Sequence, residues 1–264
     1  MSHIFKGNEY YTDPNNSKPF LLRILLKTWL VFAIRFAHQV FKARKLARSG
    51  KYLTPQWEKS SYDTLKLVED AGGKIHITGL NYLRQVEGPV VFISNHMSTM
   101  ETMIFPCIIN PIKDVSFIVK ESLVNHPLFG DTMQTRNPIL VSRTNSREDL
   151  IKVLKEGPEM LETGTSIIIF PQSTRKIVFN PAEFNSLGIK LALKANCQVI
   201  PVAIKTDFWS NGKLIHDLGL LRKKEPIHIA FGQVLKPSGN GKAEHQKVIE
   251  FIGLKSELWN KHKT

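Results

Sequence analysis

The chain has 264 residues, of which 42% are hydrophobic and 22% charged, a composition that excludes an intrinsically disordered protein and suits one large domain. It carries 36 Lys and Arg residues against 23 Asp and Glu residues, which gives a formal net charge of +13. This balance favours a polyanionic partner, either nucleic acid or an anionic membrane surface, and composition alone does not choose between them.

Residues 1–17 form a polar N-terminal segment, and the apolar segment that follows begins too late and is too charged for a secretory signal. Its longest uncharged run, Thr28 to Ile34, is far shorter than the ~20 residues that cross a bilayer. The two cysteines, Cys107 and Cys197, lie in apolar surroundings without a CxxC or metal-type spacing, which is typical of buried thiols in a reducing compartment. We therefore expect a cytoplasmic protein without a membrane span or a bound metal.

Residues 18–72 predict a basic, amphipathic helical hairpin. Residues 14–57 contain no acidic side chain, and at 100° per residue the basic and apolar side chains fall on opposite sides of a helix of about 29 residues. Ser49-Gly50 would end this helix, and a second helix would run from Thr54-Pro55 to Ala71. The basic side carries Arg23, Lys27, Arg35, His38, Lys42 and Lys45, and the apolar side carries Leu22, Leu25, Trp29, Phe32, Phe36 and Val40.

A helix of this kind suits the headgroup plane of an anionic membrane, where each Lys or Arg contributes about 1 kcal/mol and the apolar side inserts. The alternative is a helix that packs its apolar side against its own domain and leaves the basic side in solvent. Nucleic-acid binding is less favoured, because the aromatic residues lie away from the basic stripe instead of alternating with it. The hairpin is predicted to be a membrane-surface anchor.

Residues 73–264 predict one α/β domain, because short β-branched runs alternate with helical stretches. Several runs, such as VVFIS and SIIIF, are continuously apolar, as strands buried on both faces tend to be. The pattern predicts a mixed, largely parallel sheet of about seven strands covered by helices. The predicted strands are Lys74–Thr78, Val90–Ser94, Val115–Val119, Ile139–Ser142, Ser166–Phe170, Val199–Ile204 and Ile227–Phe231. The predicted helices are Thr99–Ile109, Arg147–Leu161, Asn185–Ala195 and Ala243–Lys261.

Reactive side chains follow two of these strands, and such groups gather beyond the carboxyl ends of strands in open α/β sheets. His96 leaves the strand Val90–Ser94, and Glu101 follows five positions later in the first turns of a helix. An imidazole can take a proton from an attacking hydroxyl, and a carboxylate on its second nitrogen would fix the tautomer. A His and a Glu also occur at this spacing by chance, so the pair alone is a weak signal. No GxSxG motif offers a serine nucleophile.

Five sequence blocks in a fixed order give a more specific signal, and through them residues 75–235 resemble the glycerolipid acyltransferase family typified by 1-acylglycerol-3-phosphate (lysophosphatidate) acyltransferases. That family is marked by NHxxxxD, a Lys-containing segment, an Arg-containing block, FPEGTR and a VPV-like strand. The corresponding blocks are NHMSTME at Asn95–Glu101, KESL at Lys120–Leu123 with PLFG at Pro127–Gly130, VSR at Val141–Arg143, FPQSTR at Phe170–Arg175 and IPVAI at Ile200–Ile204.

The resemblance implies an enzyme at the cytoplasmic face of a membrane that moves a fatty acyl group from acyl-CoA or acyl carrier protein to a hydroxyl of lysophosphatidate or a related lysophospholipid. His96 would deprotonate this hydroxyl and Glu101 would orient the imidazole. No cofactor and no metal would be needed, because transfer from a thioester requires a base and charge stabilisation. The phosphate and glycerol of the acceptor would be held by Lys120, Arg143, Gln172, Ser173, Thr174 and Arg175.

Three residues depart from the family motifs. Glu101 stands where the family has Asp, and Gln172-Ser173 replaces Glu-Gly in FPEGTR. The substitution at Gln172 keeps the shape and one acceptor oxygen but removes a negative charge. These departures indicate a divergent subgroup, and the alternative is a membrane-binding protein on the same fold whose catalysis has lapsed.

Overall fold

A mixed sheet of eight strands forms the centre of the computed structural model, which describes residues 5–13, 28–172, 174–212 and 217–261. The strands are β1 (Glu9–Tyr11), β2 (Ile75–Thr78), β3 (Val90–Ser94), β4 (Val115–Lys120), β5 (Ile139–Val141), β6 (Ser166–Ile169), β7 (Gln198–Lys205) and β8 (Ile227–Phe231). Their order across the sheet is β1-β2-β8-β7-β3-β6-β4-β5.

Nine α-helices and one short 3₁₀ turn, Pro181–Glu183, accompany the sheet within these described ranges. The helices are α1 (Trp29–Arg48), α2 (Thr54–Asp70), α3 (Leu80–Gln85), α4 (Thr99–Ile109), α5 (Glu121–Val124), α6 (Gly130–Gln134), α7 (Ser146–Glu162), α8 (Leu187–Lys194) and α9 (Lys242–Lys261).

Most strand pairs are parallel, and only β1–β2 and β7–β8 are antiparallel among the strands described. This confirms the predicted mixed, largely parallel sheet. The central strand β3 is buried along its whole length, because β6 and β7 flank it and helices cover both faces. The carboxyl ends of β3, β4, β5, β6 and β7 therefore meet at one edge of the sheet, where reactive residues are expected.

The sheet has one strand more than predicted. Residues 9–11 pair with β2 at the edge of the sheet, and Phe5 is buried in the core, so this described part of the N-terminal segment packs with the sheet. A three-residue edge strand with the sequence EYY carries too little apolar periodicity to be recognised.

Two hydrophobic cores lie on opposite faces of the sheet. One joins the sheet to α1, α2 and α4 and contains Phe32, Leu65 and Phe105. The other joins it to α7, α8 and α9 and contains Val153 and Ile252. The helical hairpin thus shares a core with the domain that follows it, and the molecule has the three-layer arrangement in which helices cover both faces of a mostly parallel sheet.

The predicted orientation of the first helix is wrong where the structure describes it. Phe32, Phe36 and Val40, assigned to the membrane-inserting side, are buried in the core, and both phenyl rings meet Trp209 edge-on at 4.8 and 4.7 Å. Arg35, assigned to the basic side, pairs at 2.9 Å with Asp70. The alternative of a helix packed on its own domain is the observed one. Leu22, Arg23, Leu25 and Lys27 lie outside the described residues.

The solvent-facing side of α1 is nevertheless both apolar and basic. Leu30 and Ile34 are each 60% exposed, and Phe41 is 55% exposed. His38, Lys42 and Lys45 are exposed on the same helix. Among the described residues, none of the helices combines the length and the apolar character needed to cross a membrane.

Candidate active site

The residues after β3 form a tight connection into α4. Ser98 is the N-cap of α4, and its side chain accepts a hydrogen bond from the Met100 amide at 3.1 Å. Glu101 occupies the third helical position and accepts the Ser98 amide N–H at 2.8 Å, which completes a capping box. The S-x-x-E pattern therefore fixes the backbone on which His96 is carried.

Glu101 holds the imidazole of His96. Nδ1 of His96 lies 2.9 Å from Oε1 of Glu101, and the carboxylate is fully buried. Its oxygens also accept hydrogen bonds from the Met97 amide at 2.6 Å, from the Ser98 hydroxyl at 2.8 Å and from the Thr206 hydroxyl at 2.7 Å. Burial alone would raise the pKa of Glu101, but the hydrogen bonds from His96, Ser98 and Thr206 together hold the pKa below its usual value.

The tautomer of His96 follows from this contact. An ionised carboxylate only accepts hydrogen bonds, so Nδ1 carries the proton and Nε2 is the nitrogen with a free lone pair. The ring stacks on Phe170 at 4.3 Å, and the whole residue is 7% exposed. Its backbone is held as well, because the His96 N–H donates to Oε1 of Gln172 at 2.8 Å and its carbonyl accepts the Lys176 N–H at 2.9 Å. The FPQSTR segment and Lys176, which follows it, thereby fix the position of the imidazole.

His96 lines a large cavity between the helical hairpin and the sheet. The cavity is open, and together with the solvent space at its mouth it has a volume of about 1190 Å³. Apolar side chains such as Val40, Met103 and Phe117 form its walls. His96, Arg143 and Arg175 also line it. The arrangement combines a positioned imidazole, three arginines (Arg136, Arg143 and Arg175) and space beside apolar walls.

Two of the arginines, Arg143 and Arg175, reach the cavity from the loops that follow β5 and β6. Arg143 follows β5 in a left-handed conformation, with φ of 60°, which Asp149 holds by accepting the Ser142 and Arg143 amides at 2.7 and 2.8 Å. Partial burial of the guanidinium and the nearby charge of Arg175 lower the pKa of Arg143, while Asp149 opposes this effect. Arg175 pairs at 2.8 Å with Asp217, which also accepts the Thr99 hydroxyl at 2.8 Å.

The structure thus brings together His96, Glu101, Arg143, Gln172 and Arg175 from the predicted set. Lys120 is exposed at the end of β4, and Thr174 is exposed in the loop after β6; neither lines the cavity. Ser173 lies outside the described residues. The phosphate- and glycerol-binding roles of these residues stay predictions.

Two further residues, Thr206 and Asp217, belong to this site but were not predicted from the sequence. Thr206 comes directly after β7, so its position at a strand end is a signal that could have found it. Asp217 lies in an irregular loop that carries no comparable signal. Within the described ranges, no group of three or more His, Cys, Asp and Glu side chains is placed to ligate a metal ion.

Comparison with known proteins places the chain in a family. The family model described as Acyltransferase matches residues 74–205, half of the chain. The chain belongs to this acyltransferase family. This confirms the resemblance seen in the ordered blocks, and the matched region contains the His96–Glu101 pair, Arg143, Gln172 and Arg175.

Relatives of this acyltransferase carry a common name. A 1-acyl-sn-glycerol-3-phosphate acyltransferase of Pseudomonas aeruginosa is 27% identical over 190 residues, which are 72% of this chain and 68% of that protein. The chloroplastic 1-acyl-sn-glycerol-3-phosphate acyltransferase LPAT1 of Arabidopsis thaliana is 28% identical over 167 residues, 61% of this chain and 46% of that protein. The chain therefore spans less than half of the plant relative.

A solved structure supports the fold independently. The crystal structure of the 1-acyl-sn-glycerophosphate (LPA) acyltransferase PlsC from Thermotoga maritima superimposes with a TM-score of 0.62. The alignment covers 91% of this chain and 97% of that one, at 19% sequence identity. At this identity the likeness concerns the fold, which agrees with the mixed α/β architecture of the acyltransferase.

Proposed function

We propose that this acyltransferase moves a fatty acyl group from a thioester donor, acyl-CoA or acyl carrier protein, to a hydroxyl of lysophosphatidate or a related lysophospholipid at a membrane surface. The observation that carries the proposal is the His96–Glu101 pair at a cavity shared with Arg143 and Arg175. The names of the relatives support the same acceptor class.

His96 acts as the general base. A lysophospholipid hydroxyl near Nε2 transfers its proton to the imidazole while its oxygen attacks the carbonyl carbon of the thioester. The new carbon–oxygen bond forms, the carbon–sulfur bond breaks, and the imidazolium returns the proton to the departing sulfur. Glu101, 2.9 Å from Nδ1, stabilises the imidazolium between these two proton transfers. Both transfers use one nitrogen, so His96 ends the cycle neutral.

The substrates divide between the apolar and cationic parts of the cavity. The fatty chain contacts the walls formed by residues such as Val40, Met103 and Phe117, which removes apolar surface from water. The phosphate of the acceptor lies against Arg143 and Arg175, since guanidinium groups bind phosphate with two charge-assisted hydrogen bonds. Lys120 would add a point charge from outside the cavity.

Glu101 performs the role of the family's Asp despite its extra methylene. Its carboxylate reaches Nδ1 of His96 at hydrogen-bond distance because the capping box and Thr206 hold it from four further directions. This geometry favours an active enzyme over a lapsed one, since a lapsed site has no need of an oriented imidazole.

The proposed membrane contact is the outer side of α1. Leu30, Ile34 and Phe41 insert among the lipids, and Lys42 and Lys45 lie near anionic headgroups. The inner side of the same helix stays in the core of the protein. The cytoplasmic side of the membrane remains the expected location.

The decisive experiment measures acyl transfer by wild type and by His96→Ala, with lysophosphatidate and other lysolipids as acceptors and a matched thioester donor. Loss of the base should lower the rate by about 10²- to 10⁴-fold. His126→Ala is a matched control, because His126 lies in the loop after α5, accepts the Leu128 N–H and is not among the described residues that line the cavity. Equal rates for wild type and His96→Ala would refute the proposal.

A further inference from the structure

A loop between β7 and β8 presents a leucine to solvent beside the start of α1. In this loop, residues 217–224 and named here the Leu220 loop, the side chain of Leu220 is 68% exposed. Its neighbours Leu218 and Leu221 pack against the core that α1 shares with the sheet. One exposed leucine is ordinary on a protein surface, so its surroundings decide what it can bind.

The backbone of the Leu220 loop is held in place from several directions. The amide and the hydroxyl of Ser210 both donate to the Leu220 carbonyl, at 3.1 and 2.7 Å. Trp209 and Leu221 form an antiparallel bridge. At Gly219 an added Cβ would come within 2.0 Å of the Ser210 carbonyl oxygen, so only glycine fits this close approach. The exposed leucine therefore stands on a fixed base.

The Leu220 loop is joined directly to the outer side of α1. The indole N–H of Trp29, the first residue of α1, donates to the Gly219 carbonyl at 2.9 Å. Trp29 is 38% exposed, and Leu30, which follows it, is 60% exposed. An indole that binds a carbonyl with its N–H and exposes part of its ring is typical of a bilayer interface. Two segments thus bring apolar side chains to one end of α1.

Cations follow the exposed leucine. Arg222, Lys223 and Lys224 are all exposed. The guanidinium of Arg222 lies 4.0 Å from Asp207, whereas Lys223 and Lys224 form no ion pair with any residue that the structure describes. A leucine beside unpaired lysines is complementary to an anionic bilayer, since the hydrocarbon takes the leucine and the headgroups attract the ammonium groups.

We infer that the Leu220 loop is a second membrane contact, which docks on an anionic bilayer together with the outer side of α1. The inference rests on the proposed function, in which α1 meets the membrane, and it adds a segment 190 residues away in sequence. The same loop carries Asp217, which lines the cavity and pairs with Arg175. Three residues span at most about 11 Å, so lipid at Leu220 lies close to the cavity that takes the acceptor.

The test is sedimentation of the full chain with phosphatidylglycerol vesicles. Leu220→Glu should weaken binding about tenfold or more, because it removes an inserted apolar group and places a negative charge at an anionic surface. Leu254→Glu is the matched control, since Leu254 is also 68% exposed but lies on α9, in the opposite helical layer. It should bind as wild type does.

A second variant tests the cations without changing the leucine. Lys223→Gln combined with Lys224→Gln should weaken binding to phosphatidylglycerol vesicles about tenfold and leave binding to phosphatidylcholine vesicles nearly unchanged. The control is Lys242→Gln combined with Lys247→Gln, which removes the same charge from two exposed lysines of α9. Both lysines of the loop are exposed, so this pair tests the inference even if Leu220→Glu does not fold.

The inference is overturned if Leu220→Glu and the Lys223–Lys224 variant sediment as wild type does, or if the α9 controls lose as much binding as they do. Two other partners would each leave vesicle binding unchanged and would also overturn it. An acidic carrier protein would show as slower transfer from acyl carrier protein but not from acyl-CoA, and a second copy of the chain as a lower molecular mass of Leu220→Glu in solution.

The outcome for the loop is separate from the outcome for the proposed function. Sedimentation needs no turnover, so a wild type that binds vesicles but transfers no acyl group would refute the proposed reaction alone. Vesicle binding that depends on Leu30 and Ile34 but not on Leu220 or its lysines would refute the loop alone.

Discussion

The hydroxyl of Thr206 donates a hydrogen bond of 2.7 Å to Oε2 of Glu101, which links the end of β7 to the carboxylate that orients His96. The Ser98 hydroxyl donates to the same oxygen, while the backbone amides of Met97 and Ser98 donate to the other. The carboxylate that contacts His96 is therefore positioned by two elements that are distant in sequence.

Thr206→Val should lower kcat about tenfold, because removal of one donor raises the pKa of Glu101 and loosens its contact with His96. Thr206→Ser keeps the hydroxyl and should retain most of the activity. The measurement is kcat against pH: the acidic limb of the profile should move to higher pH in Thr206→Val alone. An unchanged profile with lower activity would mean that Thr206 serves packing only.

Glu101→Asp should reduce activity about tenfold although it restores the residue of the family motif. The network around this carboxylate fits a glutamate, and a side chain shorter by one methylene cannot keep the contacts to Nδ1 of His96 and to Thr206 together. Glu101→Gln should cost about 10³-fold or more, because it removes the charge that stabilises the imidazolium. Initial rates at saturating substrate test both variants. Full activity of Glu101→Asp would show that the network tolerates either length.

Glu101 should also make stability depend on pH. Its pKa in the folded chain lies below the ordinary value of 4.5, so its stabilising effect is complete above about pH 4.5 and is lost as the pH falls through the lower, folded-state value. Urea unfolding of wild type and Glu101→Gln at several pH values measures this. The difference in free energy of unfolding between the two proteins should shrink towards acid pH. A difference that stays constant would contradict the lowered pKa of Glu101.

Arg143→Gln should raise the KM for lysophosphatidate about tenfold or more and leave kcat nearly unchanged, because in the proposed function the arginine contacts the phosphate and not the reacting atoms. Monoacylglycerol, which has no phosphate, should show no such change in KM. Arg147→Gln is the matched control, since Arg147 is exposed in the first turn of α7 and does not line the cavity. Equal effects with both acceptors would assign Arg143 a structural role.

Leu30→Glu combined with Ile34→Glu should lower binding to anionic vesicles about tenfold or more, because each apolar side chain contributes about 1.5 kcal/mol or more when it leaves water. Sedimentation with vesicles measures this. The control is Leu254→Glu, which should bind as wild type does, because Leu254 is 68% exposed and lies on α9 in the opposite helical layer. Deletion of residues 1–50 is a poorer test, because it also removes Phe32 and Phe36 from the core.

Sequence patterns located the elements well where one periodicity dominated. The bounds of β3, α4 and β8 agree with the predicted ranges, since each is a compact apolar run with a clear cap or turn beside it. The pairing of His96 with Glu101 was predictable because His96 leaves the end of β3 and Glu101 follows five positions later, in the first turn of α4. Short helices such as α5 and α6 escaped prediction, because four or five residues carry too little periodicity.

The sequence of α1 could not show whether its apolar side packs against lipid or against the core of the protein. An apolar stripe has the same pattern whether it meets lipid or a protein core, and the deciding partner, Trp209, lies far away in the chain. The sequence also could not show which of the predicted cations line the cavity. Nothing in the sequence distinguishes Arg143, which lines the cavity, from Lys120, which lies outside it.

The first helix serves three environments at once, since Phe32 and Phe36 pack in the core, Val40 and Ala43 border the large cavity, and Leu30 and Ile34 face outwards. A one-residue insertion at the start of α1 would rotate all of these side chains together by about 100° about the helix axis, relative to the residues before the insertion. The wall of the cavity and the outward apolar side of the helix would then be displaced in the same step, because one helix carries both. A substitution can change one of these two surfaces alone, whereas a shift in helical register changes both.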